Sequence, residues 1–266
     1  MKKLTPLCIL TLLAATVAFA QSGTPSSKAT AAYNTAVGCS VASTTNTWTC
    51  GDIFTGTQKF VTADNYVEVM GSTVKVSNSQ SLFANASLVT GLYTNTLVTT
   101  KPSKTSGGTN TSTATATGGV YLRAALLDAP NGNVVTYGYP AAACNSAVLG
   151  CSGSGPDSGV ILDSRVQTLT QSLSDCVVNV TVSGVAGTGT CDFTSTIQLI
   201  LQTTSAHSYN FIFPNVGVGT YYLSIQAAAD SGAVVNMGTG SAVGGAAYGL
   251  GSLTVESVRM VHSFSF

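Results

Sequence analysis

The chain has 266 residues, of which 44% are hydrophobic and only 8% charged. Eight basic residues remain once Lys2 and Lys3 are set aside, against ten acidic ones, a net charge of about −2. A nearly neutral surface built from Ser, Thr, Gly and Asn argues against nucleic-acid and anionic-lipid partners and favours strands and turns over helices.

Residues 1–20 follow the plan of a secretory signal peptide. Lys2 and Lys3 precede an apolar core over residues 7–17, and Ala18-Phe19-Ala20 forms a cleavage site before Gln21. The core is too short to span a bilayer comfortably. Cleavage after Ala20 and a secreted, periplasmic or cell-surface location are expected, in a compartment where disulfides persist. Residues 21–35, rich in Ser, Thr and Ala, read as a flexible N-terminal arm, and residues 36–266 as a single domain.

Excluding Cys8, six cysteines remain: Cys39, Cys50, Cys144, Cys151, Cys176 and Cys191. An even count in an exported chain reads as a disulfide framework. Proximity favours Cys39–Cys50, Cys144–Cys151 and Cys176–Cys191, each bracketing a turn-rich segment. A zinc site is disfavoured, because no C-x-x-C is present and only His207 and His262 offer imidazoles.

Residues 66–76 alternate around Gly71-Ser72 and read as a hairpin in which Glu68 faces Lys75, with a single strand bent at Gly71 as the competing reading. Residues 81–97 predict a buried strand. The Thr/Ser/Gly tract 99–119 predicts a loop that becomes a strand near Thr111 and continues to Asp128, where residues 128–133 turn the chain. Residues 134–139, 160–171 and the alternating segment around Val178, Val180 and Val182 predict further strands, with residues 184–189 as a turn. Residues 197–201, nearly all apolar, read as a short buried strand, and 209–213 as a separate one. Residues 221–227 show a period-two face. The Gly/Ala-rich stretch 238–251 reads as a passage between elements, and residues 253–266 as a closing strand with a bulge near Glu256-Ser257. About ten short strands without an amphipathic helix predict an all-β, mainly antiparallel sandwich, jelly-roll-like, with local disulfides.

The segment running from Phe211 through Pro214-Asn215 to Gly219-Thr-Tyr-Tyr-Leu-Ser-Ile225 resembles a hairpin of exported bacterial β-sandwich domains. Together with residues 66–87 and 251–259, the chain resembles secreted jelly-roll proteins of unassigned function. The resemblance covers about a third of the chain. It implies fold and export, and carries over no functional residue.

No catalytic, metal or cofactor motif emerges. Glu68 and Glu256, the two glutamates, are the conceivable acid–base pair of a glycosidase. His207 has Ser205, Ser208 and the upstream Asp192 nearby in sequence, without a nucleophile elbow. Asp163 and Arg165 share a strand face and fit either an ion pair or a sugar-binding pair. Tyr66, Tyr93, Tyr121, Tyr137 and Tyr139 are candidate glycan contacts, although tyrosine is also an ordinary strand former. The expected role is non-catalytic, structural or adhesive at the cell surface or in the extracellular matrix, with glycans or other surface proteins as partners. A carbohydrate-binding module is the alternative. A small outer-membrane β-barrel is the other, because Phe266 ends a segment with Val258, Met260, His262 and Phe264 at period two.

Overall fold

The structure, a computed structural model, describes residues 29–54, 60–62, 66–140 and 159–259. Twelve strands and one helical turn follow in chain order: β1 (Ala29–Ser43), α1 (Cys50–Ile53), β2 (Phe60–Thr62), β3 (Val67–Val76), β4 (Gln80–Thr100), β5 (Thr109–Leu127), β6 (Val134–Tyr137), β7 (Val160–Ser174), β8 (Val177–Val182), β9 (Val185–Thr190), β10 (Ser195–Val216), β11 (Gly219–Met237) and β12 (Thr239–Val258). The first sheet has the order β10-β4-β12-β1-β2. The second runs β3-β11-β5, with β6 and β7 both pairing the far side of β5. Every pairing is antiparallel except β1 with β2. The two sheets face each other as an all-β sandwich. Among the described residues no helix is long and apolar enough to cross a membrane.

Period-two alternation builds the core. Leu82, Ala84, Ala86, Leu88 and Leu92 of β4 meet Leu122, Ala124 and Leu126 of β5 and Leu223, Ile225, Ala227 and Ala229 of β11. Leu253 and Val255 of β12, with Phe211 and Phe213 of β10, complete the layer. Each fully buried Leu or Phe contributes roughly 1.5–3 kcal/mol of apolar burial. Tyr248 crosses the interior to donate its hydroxyl to the Ala227 carbonyl at 3.2 Å.

Several sequence expectations change. β1 begins at Ala29, so residues 29–35 are strand paired with β12 instead of arm. Residues 66–76 form no hairpin: β3 passes straight through Gly71-Ser72 and pairs along β11. The segments 197–201 and 209–213 belong to one strand, β10. The short apolar run is exposed, because β10 is the sheet edge. Of the Gly/Ala-rich stretch 238–251, Gly238 turns the chain at φ +71° and the rest lies in β12, between β4 and β1. Its small residues let the sheets approach: a Cβ on Gly118 would meet the Gly245 carbonyl oxygen at 2.6 Å. The switch of parity in β12 falls at Leu250-Gly251, before Glu256, and Leu250 has φ +49°. The turn between β8 and β9 is the pair Ser183-Gly184, both at positive φ, and residues 185–190 return as strand.

The disulfides Cys39–Cys50 and Cys176–Cys191 close local loops as expected. Cys144 and Cys151 lie outside the described residues, as do residues 1–28 and the closing segment beyond Arg259. The first disulfide ties α1 onto the outer face of the first sheet. There Ile53 and Phe54 cover Gly245 and Gly91, and Trp48 packs on Tyr93 with ring centroids 6.1 Å apart. Thr49 donates from its backbone N–H and its hydroxyl to Asp52 Oδ2 at 2.8 and 2.6 Å. These bonds hold the Asp52 carboxyl below its ordinary value.

Candidate functional site

The outer face of the second sheet gathers the richest set of polar and aromatic side chains. Register places Arg123 of β5 opposite Gln226 of β11, and Gln226 opposite Glu68 of β3. A bulge makes this row. Met70 pairs Ile225 but Glu68 pairs Gln226, so Val69 is the extra residue. The bulge turns Glu68 outward while Val69 and Met70 both pack toward the core.

Hydrogen bonds link the row continuously. The Tyr222 hydroxyl donates to Glu68 Oε1 at 2.7 Å and the Ser224 hydroxyl to Oε2 at 2.6 Å. Gln226 Nε2 reaches Ser224 Oγ at 3.5 Å, and Arg123 Nε donates to Gln226 Oε1 at 2.6 Å. The Arg123 guanidinium lies 4.1 Å from the ring centroid of Tyr66 and 5.3 Å from that of Tyr137, close enough for cation–π attraction to both. The Tyr66 hydroxyl accepts the Gly159 N–H at 2.9 Å, which fixes that ring. Burial, and then the neighbouring Glu68 carboxylate, push the Tyr222 phenol up to about 12. The result is a half-exposed surface of flat rings, one guanidinium and alternating donors and acceptors. Such a surface can stack on the apolar face of a sugar ring and bond its hydroxyls.

The candidate tyrosines therefore divide. Tyr66 and Tyr137 flank Arg123, and Tyr121 lies on the same face two residues along β5. There burial and the charge of Asp230 raise its phenol. Tyr93 sits on the opposite sheet, buried beneath Trp48. Tyr139 lies at an edge, bridged to Ile212. Sequence reasoning missed Arg123 and Gln226. Their shared row depends on β5–β11 register across a separation of 103 residues, for which no local pattern exists.

The other candidates are not brought together as the sequence allowed. Glu68 and Glu256 stand on the outer faces of different sheets, and Glu68 bonds Tyr222 and Ser224 in place of Lys75. Glu256 lines an open depression with Phe83, Asn85, Asn210, Ile212 and Thr254. Asp163 and Arg165 both reach across to the first sheet. Asp163 Oδ2 accepts from the Thr90 hydroxyl at 2.7 Å and lies 3.5 Å from His207 Nε2, while Arg165 Nη2 donates to Thr203 Oγ1 at 2.8 Å. The acid beside His207 is thus Asp163. Asp192 is exposed and lies 3.9 Å from Lys101 Nζ. Gln167 continues the seam, accepting from Thr94 Oγ1 and donating to Thr96 Oγ1, each at 2.7 Å. Side chains from β7 thereby bind the flank of the sandwich to β4 and β10. A search of protein-family models, of curated proteins and of solved structures gives no significant match to this chain.

Proposed function

We infer that the chain is an exported β-sandwich with a structural or adhesive role outside the cell and without catalytic work. The observation that carries this reading is the shape: five strands of 19–22 residues run the length of both sheets, about 65–75 Å at the ordinary strand rise. Such length with so few charges suits a spacer or scaffold that displays its faces. The disulfides Cys39–Cys50 and Cys176–Cys191 are consistent with an oxidising, extracellular location. The engagement of both Glu68 oxygens by neighbouring hydroxyls supports a structural task for that carboxylate. The test is a screen of purified residues 21–266 against glycan, ester and peptide substrates. No turnover is expected. Turnover removed by Glu68→Gln, Glu256→Gln or His207→Ala would overturn the reading.

A carbohydrate-binding role is the second reading, favoured by the row Tyr66–Arg123–Gln226–Glu68. Calorimetric titration with neutral and uronic-acid polysaccharides tests it. Binding weakened at least tenfold by Arg123→Ala supports it, and binding indifferent to that change assigns the contact elsewhere.

A further inference from the structure

We propose that the chain forms a closed, two-fold dimer through the free edge of β10, with the axis passing through Ile200. This inference does not rest on the functional reading above. β10 pairs β4 on one side only; on the other, among the described residues, its one backbone pairing is the bridge between Tyr139 and Ile212, while side chains of β7 reach Ser195, Leu199 and Thr203 from the second sheet. Residues 197–201 carry Ile197, Leu199, Ile200 and Leu201 at 43, 40, 52 and 43% exposure. The exposure has a geometric cause. β7, the last strand of the second sheet here, packs mainly opposite β4, so β10 overhangs it. An exposed, apolar edge strand with no charged residue of its own is prone to pair with another strand.

Backbone parity fixes how. Ile212 exchanges both its N–H and its C=O with Tyr139 at 2.8 Å, so its polar groups point away from β4. The β10–β4 register is unbroken from Ser195 to Phe213. Every even-numbered residue from Thr196 to Asn210 therefore turns its backbone groups to the open edge. An incoming antiparallel copy must bond even residues to even residues.

The sequence of this edge is a palindrome with the matching centre. Residues 198–202 read Gln-Leu-Ile-Leu-Gln. With the axis at Ile200, that residue faces its own mate in a hydrogen-bonded pair. Gln198 faces Gln202, Thr196 faces Thr204, and Leu199 faces Leu201 beneath the overhang, where the two apolar rows cover each other. Ile197 and Thr203, the mismatched pair, are both β-branched. No residue from Phe193 to Ala206 is charged, so no like charges oppose across the axis. Centring on Leu199 or Leu201 would also bond even residues to even ones, with the central leucines in a non-hydrogen-bonded pair, but it would set Ile200 opposite Gln198 or Gln202 and break the palindromic match. An isologous contact of this kind closes on itself and gives dimers instead of fibres.

The segment between Pro140 and Gly159 is too short to cover Ile200. Residues 141–158 leave and return at Pro140 and Gly159, so they reach out at most about 30 Å. Ile200 is twelve residues along β10 from Ile212, about 40 Å.

The experiment is sedimentation equilibrium of residues 21–266 over a wide concentration range, beside Ile200→Lys and Ile200→Cys. Wild type should sediment as a dimer. Ile200→Lys should weaken association at least about 100-fold by opposing two ammonium groups, with unchanged Trp48 fluorescence and melting temperature showing that the fold survives. Under mild oxidation Ile200→Cys should cross-link to its own mate, because Cα atoms of a hydrogen-bonded pair lie about 5.5 Å apart, within disulfide range. Ile197→Cys, which faces Thr203, should cross-link far more slowly. A wild-type monomer, open-ended fibres, a dimer indifferent to Ile200→Lys, or equal cross-linking of the two cysteine variants would each overturn the proposal.

Discussion

Tyr222 lies over Gly71, its phenol filling the space that a Cβ on that glycine would need, and its hydroxyl reaches on to Glu68 Oε1 at 2.7 Å. The glycine of β3 is thus a seat for a ring from β11, and the ring in turn orients the carboxylate.

Gly71→Ala should lower stability by about 1–3 kcal/mol, the usual range for forcing atoms into a filled site. The loss should be strongly non-additive with Tyr222→Ala, since removing the ring frees the space. Urea denaturation of the two single variants and the double measures it. Additive losses would show that the ring swings aside without cost.

Alkaline stability carries a signature of the same tyrosine. Its phenol titrates near 12 in the folded protein and near 10 when unfolded. Between those values the unfolded chain has given up the proton and the folded chain has not. Stability is therefore full below about pH 10 and falls as pH rises toward 12. Tyr222→Phe should flatten part of that fall. Tyr248, raised further by burial, and Tyr121, raised by burial and Asp230, contribute the rest. Thermal melts at intervals from pH 9 to pH 12 provide the comparison.

Arg123→Ala should cost about 1–2 kcal/mol, because the guanidinium hydrogen-bonds Gln226 and faces two rings. Arg123→Lys should recover only part of it, since an ammonium lacks the planar fork. Chemical denaturation of the two variants separates the contributions; an equal cost for both would rule out any special role of the guanidinium plane.

Replacing Cys39 and Cys50 together by Ser should cost about 2–4 kcal/mol on the loop-entropy account. It should also alter the emission of Trp48, the single tryptophan, by loosening its contact with Tyr93. An unchanged spectrum would show that α1 holds its seat by packing alone.

Much of the architecture was legible in the residues. The Asp128–Asn133 turn is read directly from Pro130 and Asn131-Gly132, and it is closed by the Asp128 N–H to the Asn133 carbonyl at 3.1 Å. The entry of β5 within the Thr tract is likewise legible, because Ala114 and Ala116 alternate with polar neighbours and are buried in the structure. Gly71-Ser72 misled because glycine permits either a turn or a close approach, and the ring that decides between them comes from residue 222. The candidate face was legible only in part: Tyr66, Tyr121 and Tyr137 can be named from sequence, but the Val69 bulge and the partners Arg123 and Gln226 cannot.

Composition and period two by themselves determined that this chain is all-β, antiparallel and locally cross-linked at Cys39–Cys50 and Cys176–Cys191, because alternation, turn chemistry and short loop closure act over a few residues. Tertiary structure alone decided which strand is the edge, and therefore why Ile197, Leu199, Ile200 and Leu201 are exposed despite reading as core. It alone decided that Gly118 and Gly244 let the sheets approach closely, and that Arg123, Gln226 and Glu68 share a row. Those outcomes depend on pairings between residues about a hundred or more positions apart, where the energy of a site is set by the strand that arrives beside it.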